Sequence, residues 1–134
     1  MNGTNGAASL ASTFAVMNRD FRIDCLPVSD SIYAELGERY DGFAGHLLIA
    51  CHSFDGDRQT WENHPHGDEL VSLVSGDAEF ILRTDEGEQS IRCSSPGDFV
   101  VVPRNTWHTA KVHSPTSKIF VTPGEGTENR ESPE

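Results

Sequence analysis

Residues 61–69 read WENHPHGDE and hold two imidazoles and three carboxylates within nine positions. Side chains alternate faces along a strand with a period of two. In TWENH, Glu62 and His64 therefore share one face, while Trp61 and Asn63 take the other. Pro65 has no N–H for a ladder, so the strand ends there, and His64 before it is biased toward extended geometry. His64-Pro65-His66-Gly67 suits a type I turn, which puts His66 at the tip in a solvated position. Beyond the turn, Glu69 opens ELVSLVSG and shares a face with Val71 and Leu73. Glu69 is thus expected at the rim of the core, across from His64. Asp68 points the other way and caps or solvates the turn.

Working outward, the chain from Gly45 onward reads as strands and turns. GHLLIACHSF, ELVSLVSG, AEFILRT, SIRC, DFVVVP, TWHTAKV and SKIFVTP are strand-length runs. Turn signals such as Asp55-Gly56-Asp57, Gly76-Asp77, Asp85-Glu86-Gly87 and Ser95-Pro96-Gly97-Asp98 punctuate them. Strands at short intervals without intervening helices predict an all-β antiparallel sandwich or barrel. In TWHTAKV, His108 has the parity of Ala110 and Val112, so it faces inward as His64 does. Either imidazole alone is more often a hydrogen-bonded core histidine. Together with Glu69 they bring ligand-type groups from separate strands to one place.

Composition narrows the function classes. The chain has 134 residues, enough for one domain with one core. Asp and Glu number 21 against 10 Lys and Arg, giving a formal charge of −11. Such a surface repels nucleic acid and anionic membrane, so neither is expected as a partner. No apolar run reaches the length of a membrane span. The start of the chain lacks the basic residues of a secretory signal. Cys25, Cys51 and Cys93 are far apart and odd in number, which fits reduced thiols in a cytoplasm. Residues 1–17 read as a flexible leader and residues 18–44 as a strand and helix extension. Asp30 or Ser31 would cap a short helix there. The barrel is expected over 45–122, followed by an acidic flexible tail over 123–134. Exposed strand edges, with strand-like material in FRIDCLPV, favour a homodimer.

The spacings resemble those of the cupin family. Its first motif is G(X)5HXH(X)3,4E(X)6G, and here Gly56 is followed at those offsets by Glu62, His64, Glu69 and Gly76. The second is G(X)5PXG(X)2H(X)3N, matched by Gly97, Pro103, Asn105 and His108, with Val112 at the last position. The resemblance is to small single-domain cupins of the cupin-2 type. It implies a double-stranded β-helix, a jelly-roll barrel, with a divalent metal near its mouth. Carried over position by position, the ligands would be His64, Glu69 and His108, with Glu62 in the place of the first histidine. Two carboxylates would shift preference toward hard ions, Fe²⁺ or Mn²⁺, with Zn²⁺ and Ni²⁺ as alternatives. They would also weaken the pull of the ion on an anionic substrate.

Two further departures from the motifs have opposite meanings. Asn105 replaces glycine at a turn and tolerates positive φ. Val112 replaces asparagine and removes a polar group from the site or its surroundings. The resemblance implies a metal-dependent enzyme, dioxygenase- or isomerase-like, acting on a small polar molecule. The alternatives are a non-catalytic metal or small-ligand binder and a structural barrel with an empty site. His46 and His52 share a face of GHLLIACHSF, which suits lining the cavity and equally a core or rim position. Trp61 and Trp107 have the opposite parity to the ligands and are expected in sheet or dimer packing.

Overall fold

Alternating burial carries the sequence pattern into three dimensions: Glu69, Val71 and Leu73 are buried, and so are Ala78, Phe80 and Leu82. The structure is a computed structural model and describes residues 3–132. In chain order its elements are β1 (Thr13–Met17), β2 (Ile23–Pro27), α1 (Ile32–Arg39), a 3-10 turn at Asp41–Phe43, β3 (Leu47–Phe54) and β4 (Trp61–Asn63). There follow β5 (Glu69–Ser75), β6 (Ala78–Thr84), β7 (Gly87–Cys93), β8 (Phe99–Val102), β9 (His108–Val112), β10 (Thr116–Thr122) and β11 (Glu128–Arg130). The strands form two antiparallel sheets, ordered β2-β1-β3-β10-β5-β8 and β11-β4-β9-β6-β7. This is the all-β architecture expected from the strand spacing and the jelly roll that the cupin resemblance implies.

Two apolar clusters hold the sheets. The first lies between them and joins Val71, Leu73, Phe80, Leu82, Val100, Val102 and Ala110. Burying each such large side chain contributes about 1.5–3 kcal/mol relative to exposure. Val112, at the position where the second motif has asparagine, packs against this cluster. The second cluster joins Phe14 and Val16 of β1, Leu26, Ile32 and Leu36 of α1, Phe43 and Ala50. It seats the helix against the β1–β3 end of the larger sheet. Ser31 is the N-cap of α1, although its side chain makes no capping hydrogen bond.

Both ends of the chain take more part in the sheets than their composition suggests. Thr13–Met17, expected in a flexible leader, is strand β1, paired on one side with β2 and on the other with β3. The reason is its own alternation, which buries Phe14 and Val16 to 2% exposure. Glu128–Arg130, expected in a flexible tail, pairs as β11 with β4. All three residues of β11 are exposed, so backbone hydrogen bonds rather than apolar burial hold it. The outermost parts of the expected leader and tail, residues 1–2 and 133–134, lie outside the described residues.

The turns that aim the site behave as their residues require. Asn105 has φ of 58°, in the left-handed region where the cupin motif has glycine. Its N–H donates to the His64 carbonyl at 2.9 Å, tying this turn to the end of β4. Asp68 Oδ1 accepts from the Arg104 N–H at 2.8 Å, so Asp68 caps the neighbouring turn. Trp107 packs within the chain, beneath the Arg130 guanidinium at 4.5 Å from its ring centroid.

Candidate metal centre

β4 ends at Asn63, and His64 follows it in the turn that Pro65 begins. Glu62 lies opposite His108 in the pairing of β4 with β9, so the smaller sheet itself sets these two side by side. Glu69 comes from the start of β5 in the other sheet, and the site spans both layers. Glu62, His64, Glu69 and His108 each offer a donor atom, and the four atoms lie within 4.8 Å of one another. His64, Glu69 and His108 are buried, at 4%, 2% and 7% exposure. His66, in contrast, sits at the turn tip with its side chain 56% exposed, 3.8 Å from Glu125.

The hydrogen bonds behind the ring nitrogens decide which atoms face the centre. His108 Nδ1 lies 2.9 Å from the Thr106 carbonyl, an acceptor only, so Nδ1 carries the proton. Thr127 Oγ1 donates to the Gly124 carbonyl at 2.9 Å and therefore accepts from His64 Nδ1 at 3.0 Å. In neutral imidazoles both Nε2 lone pairs are thus left for the centre, the arrangement by which metal-ligating histidines are oriented. Glu69 Oε2 accepts from Thr122 Oγ1 at 2.6 Å, which holds that carboxylate in place. Across the centre, His64 Nε2 is 3.1 Å from Glu62 Oε1 and 3.3 Å from Glu69 Oε2. His108 Nε2 is 3.1 Å from Glu69 Oε1 and 3.9 Å from Glu62 Oε1. Donors at about 2.1 Å from a common ion and at right angles to one another stand about 3 Å apart. The donor set therefore fits a divalent ion.

Metal-free, the same groups hold each other by protons. Burial pushes His64 down, but hydrogen bonds to Glu62 and Glu69 and their charges outweigh it and raise the imidazole to about 9. Burial pushes Glu69 up, yet the hydrogen bonds from His108 and His64 bring it down to about 2. Glu62 is also lowered, by His64 and by the Arg58 guanidinium against the effect of burial. Arg58 Nη2 donates to Glu62 Oε2 at 3.0 Å, so Glu62 presents Oε1 to the histidines. A divalent ion must displace the His64 proton, and its apparent affinity should rise about tenfold per pH unit from pH 7 toward 9, then level off. Titration with Mn²⁺ across that range reads the slope.

A cavity of about 470 Å³ opens on Glu62 and His64. One wall is apolar, with Leu36, Phe43, Leu48, Ala50, Phe54 and Phe120, and α1 helps to close it. Tyr33, His52, Arg58, Thr127 and Asn129 supply polar atoms. His52 lies in this lining, its Nε2 3.1 Å from the Tyr33 hydroxyl. His46 bonds through Nδ1 to the Ala44 carbonyl and packs on Tyr40 and Phe43 instead.

Parity missed several supporting residues. Asn63, assigned to the face away from the ligands, is only 1% exposed, because the Asn105 turn and β11 cover it. Its Nδ2 donates to Asn105 Oδ1 and to Glu128 Oε1, both at 3.0 Å. Arg58 and Thr127 come from loops, where no periodicity signals direction.

No protein-family model matches the chain, and no curated protein matches it. Among solved structures it is similar to oxalate decarboxylase of Bacillus subtilis, a protein with Mn(II) centres. That match has a TM-score of 0.54 and 17% identity, covering 63% of this chain and 23% of that one. An oxalate oxidase aligns with a TM-score of 0.51 and 15% identity, over 60% of this chain and 44% of that one. A cupin-2 domain protein of Shewanella frigidimarina aligns at 0.47 with 18% identity, over 63% and 71% of the two chains. The chain thus spans under a quarter of the oxalate decarboxylase chain and under half of the oxalate oxidase chain. The two-sheet topology and the likenesses to oxalate decarboxylase and oxalate oxidase show that the chain has the cupin fold, in one small domain.

Proposed function

We propose that the chain is a metal-dependent cupin enzyme, dioxygenase- or isomerase-like, with Glu62, His64, Glu69 and His108 as ligands of Fe²⁺ or Mn²⁺. The observation that carries this is the aim of two imidazole Nε2 atoms and two carboxylates at one point. Backbone and threonine partners hold the opposite ring nitrogens. A bound ion would supply Lewis-acid polarisation of a substrate oxygen. The chain contributes the fixed imidazole tautomers, the anchored Glu69 and the Arg58 tether on Glu62. Protein purified without added metal, or supplemented afterwards, is expected to hold about one divalent ion per chain by elemental analysis. Absence of metal after supplementation would refute the reading.

Non-catalytic binding is the second reading, favoured by Val112, which packs in the core where the family motif places a polar group. O₂ uptake with small diketones, thiols and hydroxy acids, with product analysis of the same mixtures for isomerisation, separates the two, since turnover of any of them marks an enzyme.

The reading includes a small-molecule ligand, a homodimer and a cytoplasmic setting. Strand β8 forms one edge of its sheet and exposes Phe99 at 59% and Val101 at 47%. Pairing of this edge with a second copy would cover them. Phe99→Lys is expected to yield monomers in analytical ultracentrifugation, and an unchanged dimer would exclude this edge. No helix among the described residues is long and apolar enough to cross a membrane. All three cysteines are free, which supports a reducing compartment.

A further inference from the structure

Two cations stand at the cavity: among the described residues, Lys118 is buried without an ion pair and Arg58 is half-buried with Glu62 as its single partner. Lys118, on β10, is only 3% exposed, and its ammonium lies 4.6 Å from the centroid of Phe54, 4.9 Å from Phe80 and 5.7 Å from Phe120. It makes no ion pair among the described residues. Phe54 and Phe120 also line the cavity, so this charge stands behind the cavity wall. Arg58 lines the cavity directly, and only its Nη2 is engaged, by Glu62. Its Nε is buried without a partner. When a divalent ion occupies the centre, Glu62 and Glu69 neutralise it, and the charges of Arg58 and Lys118 remain. Buried charge is costly until it is paired. A chain with a formal charge of −11 thus carries positive charge at and behind the wall of this cavity. The two carboxylates do not make the pocket hostile to anions, as their count alone suggests. Beside the cation, Leu36, Phe43, Leu48, Phe54 and Phe120 form a continuous apolar wall that suits an apolar body, while the polar atoms of Tyr33, His52, Thr127 and Asn129 lie elsewhere in the lining.

We propose that the cavity takes a small carboxylate-bearing molecule with an apolar, ring-sized body, its carboxylate on Arg58 and its body against the Phe54–Phe120 wall. This rests on the metal-centre reading, which supplies the neutralising ion. The substrate is then an amphiphilic acid rather than a wholly polar one. A guanidinium with free donors takes a carboxylate by charge-assisted hydrogen bonds that a neutral amide of the same shape cannot match.

The test is calorimetric titration of Mn²⁺-loaded and metal-free protein at pH 7 with 3-phenylpropionate, 3-phenylpropionamide and acetate. The loaded protein is expected to bind 3-phenylpropionate at least about tenfold tighter than either of the others. Arg58→Gln should bring the acid to the affinity of the amide within the same variant, a comparison in which any shift of Glu62 affects both probes. Gly37→Leu provides a second variant, because Gly37 lines the cavity and a Cβ there meets nothing within 4 Å. It should weaken both phenyl probes equally. Equal binding of acid and amide, acetate binding as tightly as the phenyl acid, no binding by any probe, or a preference that survives Arg58→Gln would overturn the proposal. Metal content measured on the same samples separates the two readings. Stoichiometric metal without acid preference defeats this inference alone. An Arg58-dependent preference in protein that never holds metal defeats the metal centre alone.

Discussion

Replacing His108 by alanine is expected to lower the affinity for Mn²⁺ by more than about 100-fold, since even loss of an orienting partner behind a ligand costs 10–100-fold. His66→Ala should leave it unchanged. His66 lies in the same HPH run as His64, yet its side chain is 56% exposed and its nearest charged group is Glu125. His108 is forty-four positions after His64 in the chain. Its Nε2 stands 3.1 Å from Glu69 Oε1, and its ring centroid lies 5.3 Å from that of His64. Removing the imidazole takes one ligand from the centre and one donor from a carboxylate that is 2% exposed. The metal-free variant should therefore also lose about 1–3 kcal/mol of stability. Chelator competition followed by Mn²⁺ electron paramagnetic resonance reads the affinity, with circular dichroism confirming the fold. Retention of metal by His108→Ala and its loss in His66→Ala would reverse the assignment.

Lys118→Met should move stability the other way, raising it by about 2–3 kcal/mol at pH 7. Burial, and repulsion by Arg58 only partly offset by Glu69, lower the ammonium from its usual 10.5 to about 8. A lysine depressed in this way binds its proton less well folded than unfolded. The penalty is complete below about pH 8, where both states are charged, and fades as pH rises toward 10.5, where both are neutral. The stability difference between Lys118→Met and the native chain should accordingly shrink across that range and approach zero at its upper end. Urea unfolding at a series of pH values, with unchanged m, measures it. A Met variant less stable than the native chain at pH 7 would mean that contacts with Phe54, Phe80 and Phe120 outweigh desolvation. A buried cation held at a cost to stability is the pattern expected where its charge serves a ligand.

The extent to which these features are legible in the sequence follows from the range of the interactions that create them. Period-two alternation is a property of the extended backbone, so the inward face of Glu69, Val71 and Leu73 and the shared parity of His108 and Ala110 can be read from neighbours alone. The same holds for the turn at Pro65 and for the positive φ of Asn105, which depend on local sterics. TFAVM carries the same alternation, but the small polar residues before it disguise the strand. Asn63 shows the limit of parity, because alternation assigns a face and cannot say what will cover it.

What the sequence by itself determined is the all-β pattern, the division of WENHPHGDE into a strand, a turn and a second strand, and the inward direction of the candidate ligands. What only the tertiary structure decided is how those directions meet. Thr127 reaches His64 from sixty-three positions away, and Arg58 leaves its loop to hold Glu62. Helix α1 closes an apolar wall over the centre, and Lys118 is sealed among three phenylalanines. Each of these contacts depends on the packing of segments distant in the chain. No local periodicity encodes it, because its free energy appears only once both sheets have formed.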